Sequence, residues 1–107
     1  MSLADKKCVP CEGGVPPMPQ KEAERYLKEL KENWHLNDRG HLEADFKFKT
    51  FRQALEFANT VGDIADEEGH HPDLYVSWGI CRVEIWTHKI QGLTESDFIL
   101  AAKVDRV

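Results

Sequence analysis

Apolar positions in the first half of the chain predict a helix, a hairpin and a second helix. Residues 21–34 are apolar at helical intervals, and after a turn cluster at 37–40 apolar and charged residues alternate over 42–48. Thr50 then opens a capping-box pattern, and apolar residues recur at helical intervals until Gly69 supplies a stop. The apolar positions of the first helix are Ala23, Leu27, Leu30 and Trp34.

The second half predicts another hairpin and a last helix. Apolar residues alternate over 74–78 and again over 81–87, with Gly79 between them, and Thr94 opens a second capping-box pattern. Strands joined as hairpins pair antiparallel, and three amphipathic helices need an apolar face to cover. The order α-β-β-α-β-β-α therefore predicts an α+β fold, with three helices packed on one face of a four-stranded antiparallel sheet.

The N-terminal segment differs from the rest in composition. Prolines and glycines crowd around Cys8 and Cys11, so residues 1–19 are predicted to form a flexible, extended arm and residues 20–107 a single domain. On this interpretation, deleting residues 1–18 should leave the melting temperature and turnover nearly intact.

Composition narrows the class of protein. A length of 107 residues suits one core, and a net charge of −5 offers no basic stripe for nucleic acid. No apolar run reaches bilayer-spanning length and no secretory signal is recognisable, while three cysteines are an odd number that fits a reducing compartment. We therefore expect a cytoplasmic protein that binds neither a membrane nor, directly, nucleic acid.

Three histidines are the candidate catalytic residues. His70 and His71 follow the second helix, Pro72 stiffens the next bond, and His88 follows the final strand. Imidazole takes up and releases protons near neutrality, so these residues could act as a general acid and base. The alternative is that they are ordinary surface histidines at element ends. Asp97 likewise could belong to a site or could simply cap the last helix.

The spacing of these residues resembles the signature of the pterin-4a-carbinolamine dehydratases. Asp66 is followed after three residues by the run His70, His71 and Pro72, and Trp78, His88 and Asp97 complete the motif. The resemblance implies the family's fold from residue 20 onward. It also implies dehydration of 4a-hydroxytetrahydropterin to quinonoid dihydropterin, which recycles the cofactor of aromatic amino-acid hydroxylases. The pterin is then the substrate, and neither a further cofactor nor a metal is expected.

The resemblance also implies roles for single residues. His70 and His88 would be the acid and base, and His71, also in the catalytic group, would help hold the pterin. Asp66, Gly69, Trp86 and Thr87 would line the binding site with these histidines, and Asp97, Pro72 and Trp78 would support it. Asp97 would orient His88 or cap the last helix. Some relatives carry Asp where this chain has Gly69, so Asp66, Glu67 or Glu68 would have to replace that carboxylate.

Other interpretations remain open at this stage. Some members resembling this chain act as dimerisation cofactors of a homeodomain transcription factor. The alternative function is therefore that of a non-enzymatic dimerisation cofactor, or of a pterin-binding module that acts on a protein partner, and exposed apolar residues on the second helix would favour it. Cys8 and Cys11 supply half of a zinc site or a redox C-x-x-C motif, but a matching second ligand pair is missing. A homodimer or homotetramer is expected from exposed edge strands and the resemblance. The physiological pterin is not determined by these patterns.

Overall fold

A computed structural model describes residues 2–9 and 16–107 of the chain. The order of helices and strands agrees with the sequence, and the predicted α+β architecture is confirmed. Two short 3₁₀ helices, Leu3–Asp5 and His88–Ile90, complete it. The main elements are α1 Gln20–Leu27, β1 His35–Leu36, β2 Leu42–Lys47, α2 Phe51–Glu68, β3 Asp73–Ser77, β4 Ile80–Ile85 and α3 Glu95–Val104. Within the described residues, no helix has both the length and the apolar character needed to cross a membrane.

The sheet has the strand order β1-β2-β4-β3, and every neighbouring pair is antiparallel. Alternation along β2 and β4 sends one set of side chains toward the helices, where they are fully buried. This set comprises Leu42, Ala44, Cys81, Val83 and Ile85. Phe98 and Leu100 of α3 belong to the same core. The opposite face of the sheet carries mainly polar and charged side chains.

The ends of α2 determine where the chain leaves toward the histidines. Thr50 Oγ1 accepts from the Gln53 amide at 3.1 Å, as a capping residue does, and the Gln53 side chain accepts from the Lys49 amide at 3.0 Å. Gly69 adopts a left-handed conformation with φ of 65°, which a glycine reaches without steric cost. The chain therefore turns sharply after α2 and presents His70 and His71 before β3 begins.

The first helix is shorter than the sequence predicts. Its apolar periodicity continues to Trp34, but α1 ends at Leu27. The Asp105 carboxylate, just after α3, accepts from the Lys31 amide at 3.0 Å and from the Trp34 indole at 2.8 Å. These long-range bonds hold residues 31–34 against α3 in a non-helical path, while Trp34 remains buried at the position its periodicity indicates.

Residues 2–9 of the arm that the sequence predicts to be flexible contact α3 in the structure. Leu3 and Ala4 are buried, and the Lys103 ammonium donates to the Ala4 carbonyl at 2.9 Å. The Val9 amide donates to Ser96 Oγ at 2.9 Å, which ties the end of this segment to α3 as well. The composition indicates a lack of helix and strand, but the contacts described above do not require either. The boundary between arm and domain at residue 20 stays a prediction, and Cys11 lies outside the described residues.

Candidate functional site

The predicted site residues gather where α2 gives way to β3 and where β4 ends. In the β3–β4 ladder Asp73 lies opposite Glu84, so residues 69–72 and 86–88 emerge from the same end of this hairpin. α3 begins shortly afterwards, and its first turn reaches this end of the sheet. Two junctions that are distant in sequence are thus neighbours in the fold.

Asp97, in the first turn of α3, joins the two junctions. Its Oδ1 lies 2.5 Å from His70 Nε2, and its Oδ2 accepts from Thr87 Oγ1 at 2.9 Å and from the Thr94 amide at 2.8 Å. Asp97 is completely buried, and every one of these contacts supplies the donor that a buried carboxylate requires. It therefore caps α3 and holds His70 at the same time, so the two roles considered from the sequence are not exclusive.

The hydrogen bonds of Asp97 assign the tautomer of His70. Asp97 Oδ2 already accepts two hydrogen bonds and a carboxylate oxygen is an acceptor, so we assign the proton between the two side chains to His70 Nε2. His70 Nδ1 is then the nitrogen that can exchange a proton with a ligand. The expectation that Asp97 orients His88 is corrected, because the carboxylate bonds to the imidazole on the other junction.

His71 and Asp66 form a second pair, with His71 Nε2 3.0 Å from Asp66 Oδ1. Both side chains are exposed, in contrast to the His70–Asp97 pair. An exposed ion pair contributes little to stability, so these groups are available to a ligand at low cost. Pro72, half-buried, connects His71 to the start of β3.

His88 is exposed and opens the 3₁₀ helix His88–Ile90. Its ring contacts the Trp86 ring with centroids 4.2 Å apart and planes inclined by 41°. Thr87, between them, is buried and points to Asp97. Thr87 thus contacts the helix side of the sheet, whereas Trp86 lies on the outer face.

Trp78 lies at the other end of β3 from His70 and His71. It follows the last residue of β3, whereas His71 lies two residues before the first, so the whole strand, about 17 Å long, lies between them. The indole is 72% exposed in the turn between β3 and β4. Its predicted supporting role finds no contact with the histidines in the described structure.

The sequence interpretation missed a buried polar cluster beside Trp86. His41, which the sequence analysis did not select as a site residue, is buried with Nδ1 2.7 Å from Glu84 Oε2. Its ring stacks on Trp86 with centroids 4.1 Å apart and planes within 4°. The only sequence signal is that Glu84 and Trp86 share the outer face of β4 with Arg82, and alternation alone predicts that such a polar residue is solvated.

The electrostatics of Glu84 follow from its donors. Burial alone would raise its pKa, but hydrogen bonds from Arg39, His41 and Asn37 outweigh burial and hold the pKa of this carboxyl below its ordinary value. Arg39 alone forms three of these hydrogen bonds, from Nη2 at 2.7 Å to Oε2 and at 2.9 Å to Oε1, and from Nε at 3.1 Å to Oε2. Glu84 is therefore a buried anion with a complete set of partners.

Of the two described cysteines, Cys81 lies in the core, and Cys8 contacts the end of α2 and the start of α3. Cys8 is half-buried, and its thiol donates to the Ser96 carbonyl at 3.4 Å. Burial, together with the nearby Glu68 carboxylate, raises the pKa of the Cys8 thiol to about 12, the opposite of an activated redox cysteine. Among residues 2–9 and 16–107, no three His, Cys, Asp or Glu side chains are grouped as metal ligands.

Comparison with known proteins agrees with this arrangement. The family model described as pterin 4 alpha carbinolamine dehydratase matches residues 16–107. A protein of Rickettsia bellii named pterin-4-alpha-carbinolamine dehydratase is 62% identical over 97% of this chain and 92% of its own length. A relative of the same name from Alkaliphilus metalliredigens is 50% identical over 98% of this chain and 95% of its own length.

A solved structure supports the same relationship. The crystal structure of a transcriptional coactivator/pterin dehydratase from Brucella melitensis superposes with a TM-score of 0.78 at 28% identity. The match covers 84% of this chain and 96% of that one. Fold, residue spacing and sequence identity over nearly the whole length therefore lead to one conclusion. The chain belongs to the pterin-4a-carbinolamine dehydratase family, whose named activity is that of a hydro-lyase.

Proposed function

We propose that this protein dehydrates 4a-hydroxytetrahydropterin to quinonoid dihydropterin by general acid–base catalysis. The observation that carries the proposal is the buried Asp97 carboxylate, which bonds His70 on one junction and Thr87, the neighbour of His88, on the other. This arrangement supports a role for His70 as a proton acceptor, and it anchors the backbone beside His88. The family's named activity needs two such groups.

The chemistry is a simple loss of water. The bond between carbon 4a and its hydroxyl oxygen breaks as the oxygen takes up a proton, and N5 loses its proton as the C4a–N5 double bond forms. In this scheme neutral His70 accepts the N5 proton on Nδ1, and Asp97 stabilises the imidazolium through Nε2–H. His88 delivers the proton to the leaving hydroxyl. The two imidazoles move both protons and no electrons are transferred, so the scheme includes neither a metal nor another cofactor.

In this proposal the exposed pair of His71 and Asp66 binds the substrate. The Asp66 carboxylate can accept from the amino group and ring N–H of a pterin, and His71 lies 3.0 Å from Asp66 at the same junction. Gly69 contributes no carboxylate, and a Cβ placed there would meet open space. We place the reaction after a pterin-dependent aromatic hydroxylation and before the reduction that restores the tetrahydropterin.

The described surface of α2 does not favour the dimerisation-cofactor role. That role would be supported by exposed apolar residues along α2, yet the large exposed apolar side chains among the described residues include only Phe51 from this helix. Phe51 is the first residue of α2, and the outward positions after it are mostly polar. The homodimer or homotetramer remains a prediction that light scattering on the purified protein can test.

A direct dehydratase assay with enzymatically generated 4a-hydroxytetrahydropterin tests the proposal. His70→Ala and His88→Ala should each lower kcat about 10²- to 10⁴-fold, whereas His71→Ala should mainly raise KM. His35→Ala is the matched control, because this exposed imidazole lies on β1 and, within the described part of the chain, forms an ion pair only with Glu43. The wild-type rate should be unaffected by EDTA. Wild-type kcat in both the His70 and His88 variants would overturn the mechanism.

A further inference from the structure

A buried carboxylate lies on the face of the sheet that is otherwise solvated. Glu84 is 2% exposed, and its side chain is covered by the 37–41 segment that connects β1 to β2. The Asn37 side chain donates to Glu84 at 2.8 Å, and it also accepts from the His41 amide at 3.0 Å. The cluster is therefore a closed set of hydrogen bonds, and the proposed reaction makes no direct use of it.

These hydrogen bonds fix the plane of the His41 ring. Glu84 receives the Nδ1–H of His41 at 2.7 Å, which prevents rotation of the imidazole about its χ2 angle. The ring so held lies parallel to Trp86, and a parallel contact of 4.1 Å leaves little room for the indole to tilt. Trp86 in turn contacts His88 at 4.2 Å.

From this chain of contacts we infer that Glu84 and His41 are positioning residues which, through the Trp86 ring, fix the orientation of the His88 imidazole. The consequence for turnover rests on the proposed function, whereas the orientation itself does not. His88 is exposed and begins a short 3₁₀ helix, so its own segment restrains the ring weakly. The Trp86 contact supplies the restraint.

The alternation of side chains along β4 explains why His88 is positioned through the outer face of the sheet. Glu84, Trp86 and His88 are spaced two residues apart, so the strand and its continuation place the first two on the outer face. Thr87 points to the helix side, where Asp97 holds it together with His70. Each proposed proton-transfer imidazole thus has its own carboxylate, Asp97 directly for His70 and Glu84 indirectly for His88.

Histidine side-chain NMR on the ligand-free protein tests the orientation without any substrate. Long-range ¹H–¹⁵N spectra report the ring signals of His88, which the Trp86 indole shifts by its ring current. His41→Ala and Trp86→Leu should move the His88 signals toward those of an exposed, unstacked imidazole. His41→Phe, which keeps a flat ring but loses the bond to Glu84, should give a smaller change, and Trp86→Phe should restore part of the wild-type shift.

Arg82→Gln is the matched control, since it removes a 2.8 Å ion pair with Asp45 on the same face without touching the stack. It should leave the His88 signals in place. Retention of wild-type His88 signals in folded His41→Ala, His41→Phe and Trp86→Leu variants would overturn the inference. An equally large change of the His88 signals in Arg82→Gln would also overturn the inference, because any substitution on this face of the sheet would then have the same effect.

Turnover provides the second readout. Misplacing a catalytic group by about 1 Å can cost on the order of 100-fold, so His41→Ala should lower kcat about 10- to 100-fold with little change in KM. An inactive wild-type protein would refute the proposed function but leave the NMR result decisive for the positioning. Normal kcat in an active His41→Ala variant with shifted His88 signals would refute the catalytic consequence.

Discussion

The substitution Asp97→Asn separates the two tasks that this buried carboxylate performs. The new amide has one oxygen and one NH₂ group, and the Thr94 amide, 2.8 Å from Asp97 Oδ2, can only donate. The amide oxygen must therefore take that position, which turns the NH₂ group toward His70 Nε2. A donor now faces the nitrogen that carries the proton in the wild-type protein, so His70 must move its proton to Nδ1.

The expected magnitudes differ for stability and for turnover. Replacing charge-assisted hydrogen bonds with neutral ones should lower the free energy of unfolding by about 1–2 kcal/mol, because the cap of α3 is kept. For a chain of this size that is roughly 5–10 °C in Tm. Turnover should fall about 10²- to 10⁴-fold, since protonated Nδ1 can no longer accept the substrate proton.

Thr50→Ala is a matched control for the loss of stability. It removes the cap of α2, whose hydroxyl accepts from Gln53 at 3.1 Å, and should cost about 1 kcal/mol without changing kcat. Urea denaturation, the dehydratase assay and histidine ¹⁵N spectra complete the experiment. An Asp97→Asn protein that loses stability like Thr50→Ala but keeps full turnover would show that Asp97 only caps α3, and the assigned tautomer would be wrong.

Three further predictions concern the packing and ionisation of the described residues. Leu3→Ala should lower the free energy of unfolding by about 2 kcal/mol in urea titrations, because Leu3 is buried; an unchanged value would restore the flexible arm. In a Cys11→Ser variant at pH 8, native Cys8 should react with a disulfide reagent on the order of 10³-fold more slowly than in urea, because its thiol pKa is about 12; equal rates would contradict the burial. The depressed pKa of Glu84 means that the unfolded chain takes up its proton first, so stability should be lost as pH falls from the ordinary value of 4.5 through the folded pKa. Glu84→Gln should flatten that part of a Tm–pH curve, and identical slopes would show that the carboxylate is not stabilised in the fold.

Local sequence patterns predicted most of the fold, because most helices and strands are indicated by their own residues. Thr50 and Gly69 bound α2 at the residues that capping and left-handed backbone chemistry indicate. The error at the end of α1 has a different origin, since the Asp105 carboxylate captures Lys31 and Trp34 from about 70 residues away. Composition likewise gave no means of finding the contacts of residues 2–9, which depend on partners in α3.

The candidate site shows the same division between local and distant information. Spacing identified His70, His71, His88 and Asp97 but not which imidazole the carboxylate holds, because that depends on how the start of α3 meets the end of α2. Period-two alternation placed Glu84 correctly on the outer face. It gave no sign that the β1–β2 connection folds over that face and buries it.

The difference in exposure between His70 and His88 has a consequence for their roles. The His70 side chain is 16% exposed and bonds a completely buried carboxylate, which suits it to hold a positive charge after accepting a proton. His88 is exposed, so it can exchange protons with solvent between turnovers and return to its acid form. In the proposed mechanism, each catalytic cycle leaves one imidazole protonated and the other neutral, and recovery requires a proton to leave one and reach the other. Water at the exposed His88 can supply its proton directly, whereas His70 must release its proton through Nδ1, because Asp97 occupies the other nitrogen.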